Sequence, residues 1–279
     1  MKNDLWAPTR RIEKAYERSL NLISKWINAI IDMDASPQTI VDSLLRMTTS
    51  KEFDDYTQST ATQMITHLFT DNGRTWRQAA MNNSKGRLIY EALKKERTGY
   101  IGHYIAIRLK ENAELIKSIP LDAANKATEL ISRAAYSGVR STNDIVDMLR
   151  SEIGNLTVNK AKLIARTEVS KAQTELTRAR CVDMDIKWYV WRTAKDGERV
   201  RRAHRALEGV LVHWDEPPAP EQLAGIKSTL GHYHAGESPN CRCYAEPVVY
   251  LKYVKFPAKV YVNGAIITMT LSQFEKIAA

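Results

Sequence analysis

Cys241-Arg242-Cys243 is the most distinctive local feature of the chain, and His204 is the histidine best placed to join it. Side chains two residues apart on an extended segment project to one face, so both sulfurs would point one way and Arg242 the other. Thiolates and imidazoles converging as a tetrahedron hold a soft ion such as zinc. His204 is then the third donor, with His213, His232 or His234 as a fourth. Two features oppose that reading. Structural zinc sites usually have two to four residues between cysteines, not one. A strictly extended Cys-x-Cys also holds its sulfurs too far apart for one ion unless the strand bends. Two alternatives stand beside it: the thiols are small buried hydrophobes, or His204 lowers the pKa of a catalytic thiol. For the catalytic pair, no orienting carboxamide or oxyanion hole is visible.

The wider chain supplies little else that does chemistry. A glycine-rich phosphate loop, a paired-carboxylate site and a helical His-Glu-x-x-His motif are all absent. Arg199, Arg201, Arg202 and Arg205 surround His204 in sequence, and a solvated helix face is preferred there to a phosphate cradle. Arg166-Thr167-Glu168 lies within a helical pattern, where an Arg–Glu packing contact is expected.

The elements that must position these residues change character near Lys187. Before it, apolar residues recur at helical steps: Ile12, Tyr16, Leu20, Ile23, Ile27 and Ile30 in one helix, then Ile40, Val41, Leu44 and Leu45 behind a Ser36-Pro37 start. A third helix is expected over 53–69, ended by the Asp71-Asn72-Gly73 turn signal. Helical patterns follow over 84–119, 121–136 and 158–184, with a short helix behind Ser141 and Pro120 as a boundary. After Lys187, Trp188-Tyr189-Val190-Trp191 reads as a buried strand and Val210-Leu211-Val212 as another. Between them, a turn at Asp196-Gly197 and a short helix over 199–207 are expected. Residues 216–236 are loop-rich, 241–250 form a third strand broken by Pro247, and Asn263-Gly264 makes a type I′ hairpin turn. The fold class is α+β: a helical N-terminal region over 1–150, a small α+β module with short strands over 151–250, and a hairpin with a short helix over 251–279.

Composition narrows the function classes. Of 279 residues, 44% are hydrophobic and 26% charged, ordinary values for a globular protein. No apolar run of membrane-spanning length is present, and the stretch beginning MKNDLWAPTRR has no apolar core of a secretory signal. Three cysteines do not make a disulfide framework, which suits a reducing compartment. The net charge of +9 comes from dispersed lysines and arginines rather than one dense patch, which supports only non-specific attraction to phosphate.

A series of segments, in order, carries a family resemblance. They are Gly138, IARTE at Ile164 to Glu168, W-x-T-A-x-D at Trp191 to Asp196, R-V-R-x-x-H at Arg199 to His204, Leu207-Glu208-Gly209, and PNCRC at Pro239 to Cys243. Together they resemble the phage head morphogenesis family, the Mu protein F-like minor head proteins of tailed phages, over roughly Leu130 to Pro247. Gly197-Glu198 sets Asp196 one residue further from the histidine than the family pattern does, and the loop from Asp215 to Ser238 is long. The resemblance implies a virion protein in the head interior, made in the cytoplasm of a bacterial host. Its implied partners are the portal protein or the major capsid protein, with non-specific double-stranded DNA nearby and a role in assembly and ejection rather than catalysis. Arg166, Thr167, Glu168, Asp196, Arg199, Arg201 and Gly209 are then structural motif residues. The competing class is an enzyme, a nuclease or transferase centred on His204 and its arginines.

Overall fold

The computed structural model describes residues 5–7, 10–33, 35–81, 86–95, 100–138, 141–195, 197 and 200–278. Among the described residues six helices come first: α1 (Arg10–Ile31), α2 (Pro37–Thr49), α3 (Lys51–Met81), α4 (Gly86–Lys95), α5 (Tyr100–Tyr136) and α6 (Thr142–Asp183). A small mixed sheet follows, with short α-helices between or after its strands and a 3-10 turn at Leu251–Tyr253. In chain order these are β1 (Trp188–Arg192), α7 (Arg202–Ala206), β2 (Leu211–His213), α8 (Pro220–Leu223), β3 (Tyr244–Pro247), β4 (Ala258–Val262), β5 (Ala265–Met269) and α9 (Leu271–Glu275). The α+β class is as expected, helical first and stranded last.

The chain forms two compact units. One comprises 10–66 and 106–166, and its regular elements among the described residues are helices joined by short turns. Its α1 buries Ile12, Tyr16, Leu20, Ile23 and Ile27, and Ile31 rather than Ile30 completes the stripe. In α2 the side chain of Ser36 accepts from the Thr39 amide and Pro37 occupies the first turn, where its missing N–H costs nothing. Ile40, Val41 and Leu44 are buried there, whereas Leu45 is exposed. Tyr16 donates to Asn112 at 3.2 Å, both buried.

The helices are longer than their sequence signals. Asp71-Asn72-Gly73 is not a turn but the interior of α3. Asn72 is fully buried, donates to Thr177 at 2.9 Å and accepts from Arg180, while Gly73 leaves room for the Arg180 guanidinium, 3.4 Å from where a Cβ would stand. Tertiary partners override the local turn preference. Pro120 sits inside α5 rather than at its edge, and Lys160 donates to the nearby Ser118 carbonyl at 2.9 Å. The two helices expected on either side of Gly154 are one 42-residue helix, α6.

The second unit comprises 1–9, 67–105 and 167–279 and contains the sheet. The strand order is β3-β1-β2-β4-β5, antiparallel except for β2 with β4. Alternation along β1 feeds two cores. Tyr189 and Trp191 join Trp76, Cys181, Trp214, Cys241 and Cys243, whereas Trp188 and Val190 join Leu211, Val260 and Phe274. Asn263 and Gly264 both have positive φ, 50° and 79°, as a type I′ turn requires. The third strand is shorter than expected. Cys241-Arg242-Cys243 precedes it in irregular backbone, entered through Asn240 at φ 62°.

Candidate metal centre

Three local structures bring the chemistry-bearing residues together. The one-turn helix α7 carries His204, which is 2% exposed, on its inner side. The chain from Ser238 to Cys243 folds back beneath it, bent enough that the Cys243 amide donates to the Cys241 sulfur at 3.3 Å. The objection that an extended Cys-x-Cys spreads its sulfurs does not apply, because this segment is not extended. His204 Nδ1 lies 3.4 Å from Cys241 Sγ and 3.5 Å from Cys243 Sγ, and all three donor atoms fall within 4.8 Å of one another. The cysteines are 5% and 3% exposed.

The far side of the imidazole is equally well defined. His204 Nε2 is 2.8 Å from the Tyr233 hydroxyl, which donates to Glu221 at 2.7 and 2.9 Å. Both partners come from the 216–236 loop, Glu221 from α8 and Tyr233 from the chain after it. Burial and the adjoining Glu221 carboxylate push the Tyr233 phenol up, so it stays protonated. Nothing local in the sequence singles out either residue, since Glu221 follows His204 by a loop and several prolines.

The two thiols share their ionisation. Cys241 is depressed to about 4, first by its hydrogen bond with Cys243 and then by His204, working against burial. Cys243 is raised by the same contact and by burial.

The other candidate donors are elsewhere. His232 is exposed with Nδ1 2.9 Å from the Pro217 carbonyl oxygen, His213 stacks edge-on to Trp188, and His234 is buried beside the Tyr189 hydroxyl at 3.2 Å. None of the three joins His204 and the cysteines among the described residues. Arg202 and Arg205 are exposed. Arg201 instead clamps the loop ahead of Cys241, donating to Ser238 at 3.1 Å and to the Pro239 carbonyl at 2.6 Å.

The remaining motif residues act as joints. Arg166 faces Glu13 at 3.5 Å, and Thr167 accepts from the Asn240 amide at 3.0 Å, next to the first cysteine; Glu168 is buried. Gly209, at φ 78°, turns the chain so that its amide donates to the Trp191 carbonyl at 2.9 Å. Glu208 accepts from Thr193, and Leu207 is fully buried. Asp196 and Arg199 lie outside the described residues. Gly236, at φ 94°, permits the closest approach. A Cβ there would stand 2.7 Å from Thr174 Oγ1, 2.8 Å from the Cys243 carbonyl and 2.9 Å from Ser170 Oγ, so α6 and the cysteine segment both press on it.

These joints fall within a segment that matches a known family. The family described as "Phage Mu protein F like protein" matches residues 126–246. Over that segment the chain is similar to the phage head morphogenesis proteins. Over a longer stretch that includes this segment, the chain is 24% identical over 260 residues to "Minor head protein GP7" of Bacillus phage SPP1, covering 87% of this chain and 82% of that protein. It is also 33% identical over 138 residues to an uncharacterized protein of Haemophilus influenzae, half of this chain but only 28% of that protein's length. No solved structure matches. No helix among the described residues is long and apolar enough to cross a membrane.

Proposed function

We propose that this chain is a minor head protein of a tailed phage, lying inside the head at the portal and against packaged DNA, with a structural role in assembly. The observation that carries the reading is the alignment to the SPP1 minor head protein, which extends well past the Mu F-like segment into the N-terminal helices. Charge supports a place beside DNA. Arg10, Arg11, Lys14 and Arg18 are exposed on α1 and line one basic shelf, on a chain of net charge +9. Such a surface neutralises phosphates without reading bases, so contact is sequence-independent and weakened by salt. The burial of His204, Cys241 and Cys243 supports the structural reading over a nuclease or transferase, which needs a histidine that substrate can reach.

The test is to purify DNA-filled heads of the phage that encodes the chain and to crosslink the portal vertex. Recovery of the protein in heads, crosslinked to portal or major capsid protein, supports the reading, and its absence from filled heads overturns it. Loss of the protein from emptied heads would extend the role to ejection. For DNA, the quadruple change of Arg10, Arg11, Lys14 and Arg18 to Gln is expected to flatten the salt dependence of duplex binding. The log–log slope should fall by about 0.9 for each phosphate that the variant no longer neutralises. An unchanged slope would remove α1 from the DNA contact.

A further inference from the structure

The Glu221–Tyr233–His204 chain settles which nitrogen of the imidazole faces the cysteines with a lone pair. Tyr233 has one hydroxyl hydrogen, and both Glu221 oxygens lie within reach of it as acceptors. With that hydrogen committed to the carboxylate, the 2.8 Å contact to His204 requires Nε2 to be the donor. The neutral ring then carries its proton on Nε2, and Nδ1 offers a lone pair to the sulfurs 3.4 and 3.5 Å away. One lone pair faces two thiols, and only one S–H can point at it. A divalent cation serves all three at once.

The spacing agrees. Zinc bonds of about 2.3 Å to sulfur and about 2.0–2.1 Å to nitrogen, opened to a tetrahedral angle, set sulfur and nitrogen about 3.5 Å apart. A histidine whose outer nitrogen is hydrogen-bonded to a carboxylate, directly or through one more group, is the usual support of a metal-bound imidazole. The side chains are sealed from solvent, and the cysteine segment that supplies two donors is pinned from three directions by Thr167, Arg201 and Gly236.

We propose that His204 Nδ1 and the thiolates of Cys241 and Cys243 bind one divalent thiophilic cation of the zinc class, with a water molecule in the fourth position and Tyr233–Glu221 as the support of the histidine. Binding releases the thiol protons to solvent and changes no oxidation state. The ion ties α7 to the segment before β3, two pieces of chain separated by the whole 216–236 loop.

The experiment uses the full chain, purified with reductant and without added chelator, then stripped and titrated with cobalt(II) and zinc. The expected results are about one ion per chain by elemental analysis and a thiolate-to-cobalt charge-transfer band that zinc abolishes on displacement. Tyr233→Phe is expected to keep the band while weakening zinc affinity about 10–100-fold, because it removes only the support. Cys241→Ser and Cys243→Ser are each expected to lose most of the band. A folded wild-type chain that takes up no zinc and shows no thiolate–cobalt band overturns the proposal, as does a Cys241–Cys243 disulfide in the freshly purified protein. The wild-type titration decides the matter even if a cysteine variant fails to fold. Tyr233→Phe with undiminished affinity would remove Tyr233 and Glu221 from the site.

Discussion

Thr193 is tied to Glu208 twice, through its amide at 2.6 Å and its hydroxyl at 2.7 Å, both to the same carboxylate oxygen. The other oxygen lies 3.5 Å from Arg192. The end of β1 is thereby fastened to the turn that follows α7, and His204 stands on the helix between them. Residues that look like separate motifs in the sequence, Trp191-x-Thr193 and Leu207-Glu208-Gly209, are two sides of one joint.

Glu208→Ala leaves the amide and hydroxyl of Thr193, itself 5% exposed, without their shared acceptor. The expected loss is about 1–3 kcal/mol in urea unfolding, the penalty for a buried polar group stranded on one side. A change below about 0.5 kcal/mol would mean that water replaces the carboxylate and that the joint is not a stabilising one.

Gly236 and Gly225 form a matched pair of glycines. Both have positive φ, 94° and 68°, but only Gly236 has atoms crowding the place of its missing Cβ. Gly225→Ala is expected to cost about 1 kcal/mol, from backbone conformation alone. Gly236→Ala meets the Cys243 carbonyl as well as the α6 hydroxyls, so its cost in urea unfolding is expected to exceed that of Gly225→Ala by about 1–3 kcal/mol, the range for an overpacked contact. Equal costs would show that the segment carrying Cys243 yields freely.

His234 gives a pH signature. Burial first, and the nearby Arg178 charge second, lower it from 6.5 to about 3. Above pH 6.5 the ring is neutral in both folded and unfolded chains. Below that value the unfolded chain takes up a proton that the folded one refuses, so stability falls with pH from 6.5 down to about 3. The slope is about 1.4 kcal/mol per pH unit, or about 2 kcal/mol between about pH 6.5 and 5. The depressed Cys241 thiol contributes in the same direction over that range, so the His234 share is read as the difference between wild type and His234→Gln. Parallel stability–pH curves for the two proteins would contradict it.

Much of this architecture is legible in the sequence, for reasons that particular residues make plain. The stripe from Ile12 to Ile27 and the start at Ser36-Pro37 are local rules obeyed without interference. So is Trp188-Tyr189-Val190-Trp191, whose unbroken apolar run reflects burial on both faces of β1. Asp71-Asn72-Gly73 misleads because its turn preference is outweighed by a buried contact with Arg180, more than a hundred positions away. His204, Cys241 and Cys243 can be named from their types. Glu221 and Tyr233 cannot, because a carboxylate and a phenol in a proline-rich loop carry no local mark of the histidine they support. The bend that lets Cys-x-Cys converge is likewise invisible until Asn240 is seen in its left-handed conformation.

The single parallel pairing in the sheet, β2 beside β4 at Leu211 and Val260, bears on the order in which the module assembles. A parallel neighbour cannot be reached by a tight turn, and here the intervening chain is the whole of α8, the cysteine segment and β3. The β4–β5 hairpin closes locally through Asn263-Gly264, but its seat on β2 exists only once that long excursion has returned. Docking of the hairpin on β2 is therefore expected to come after the nearer β1–β2 pairing, as is the pairing of β1 with β3, since both close long loops. Pulse-labelling hydrogen exchange during refolding should protect the amides of β1 and β2 before those joining β2 to β4, and any agent that gathers His204 to the cysteines early would shorten the wait.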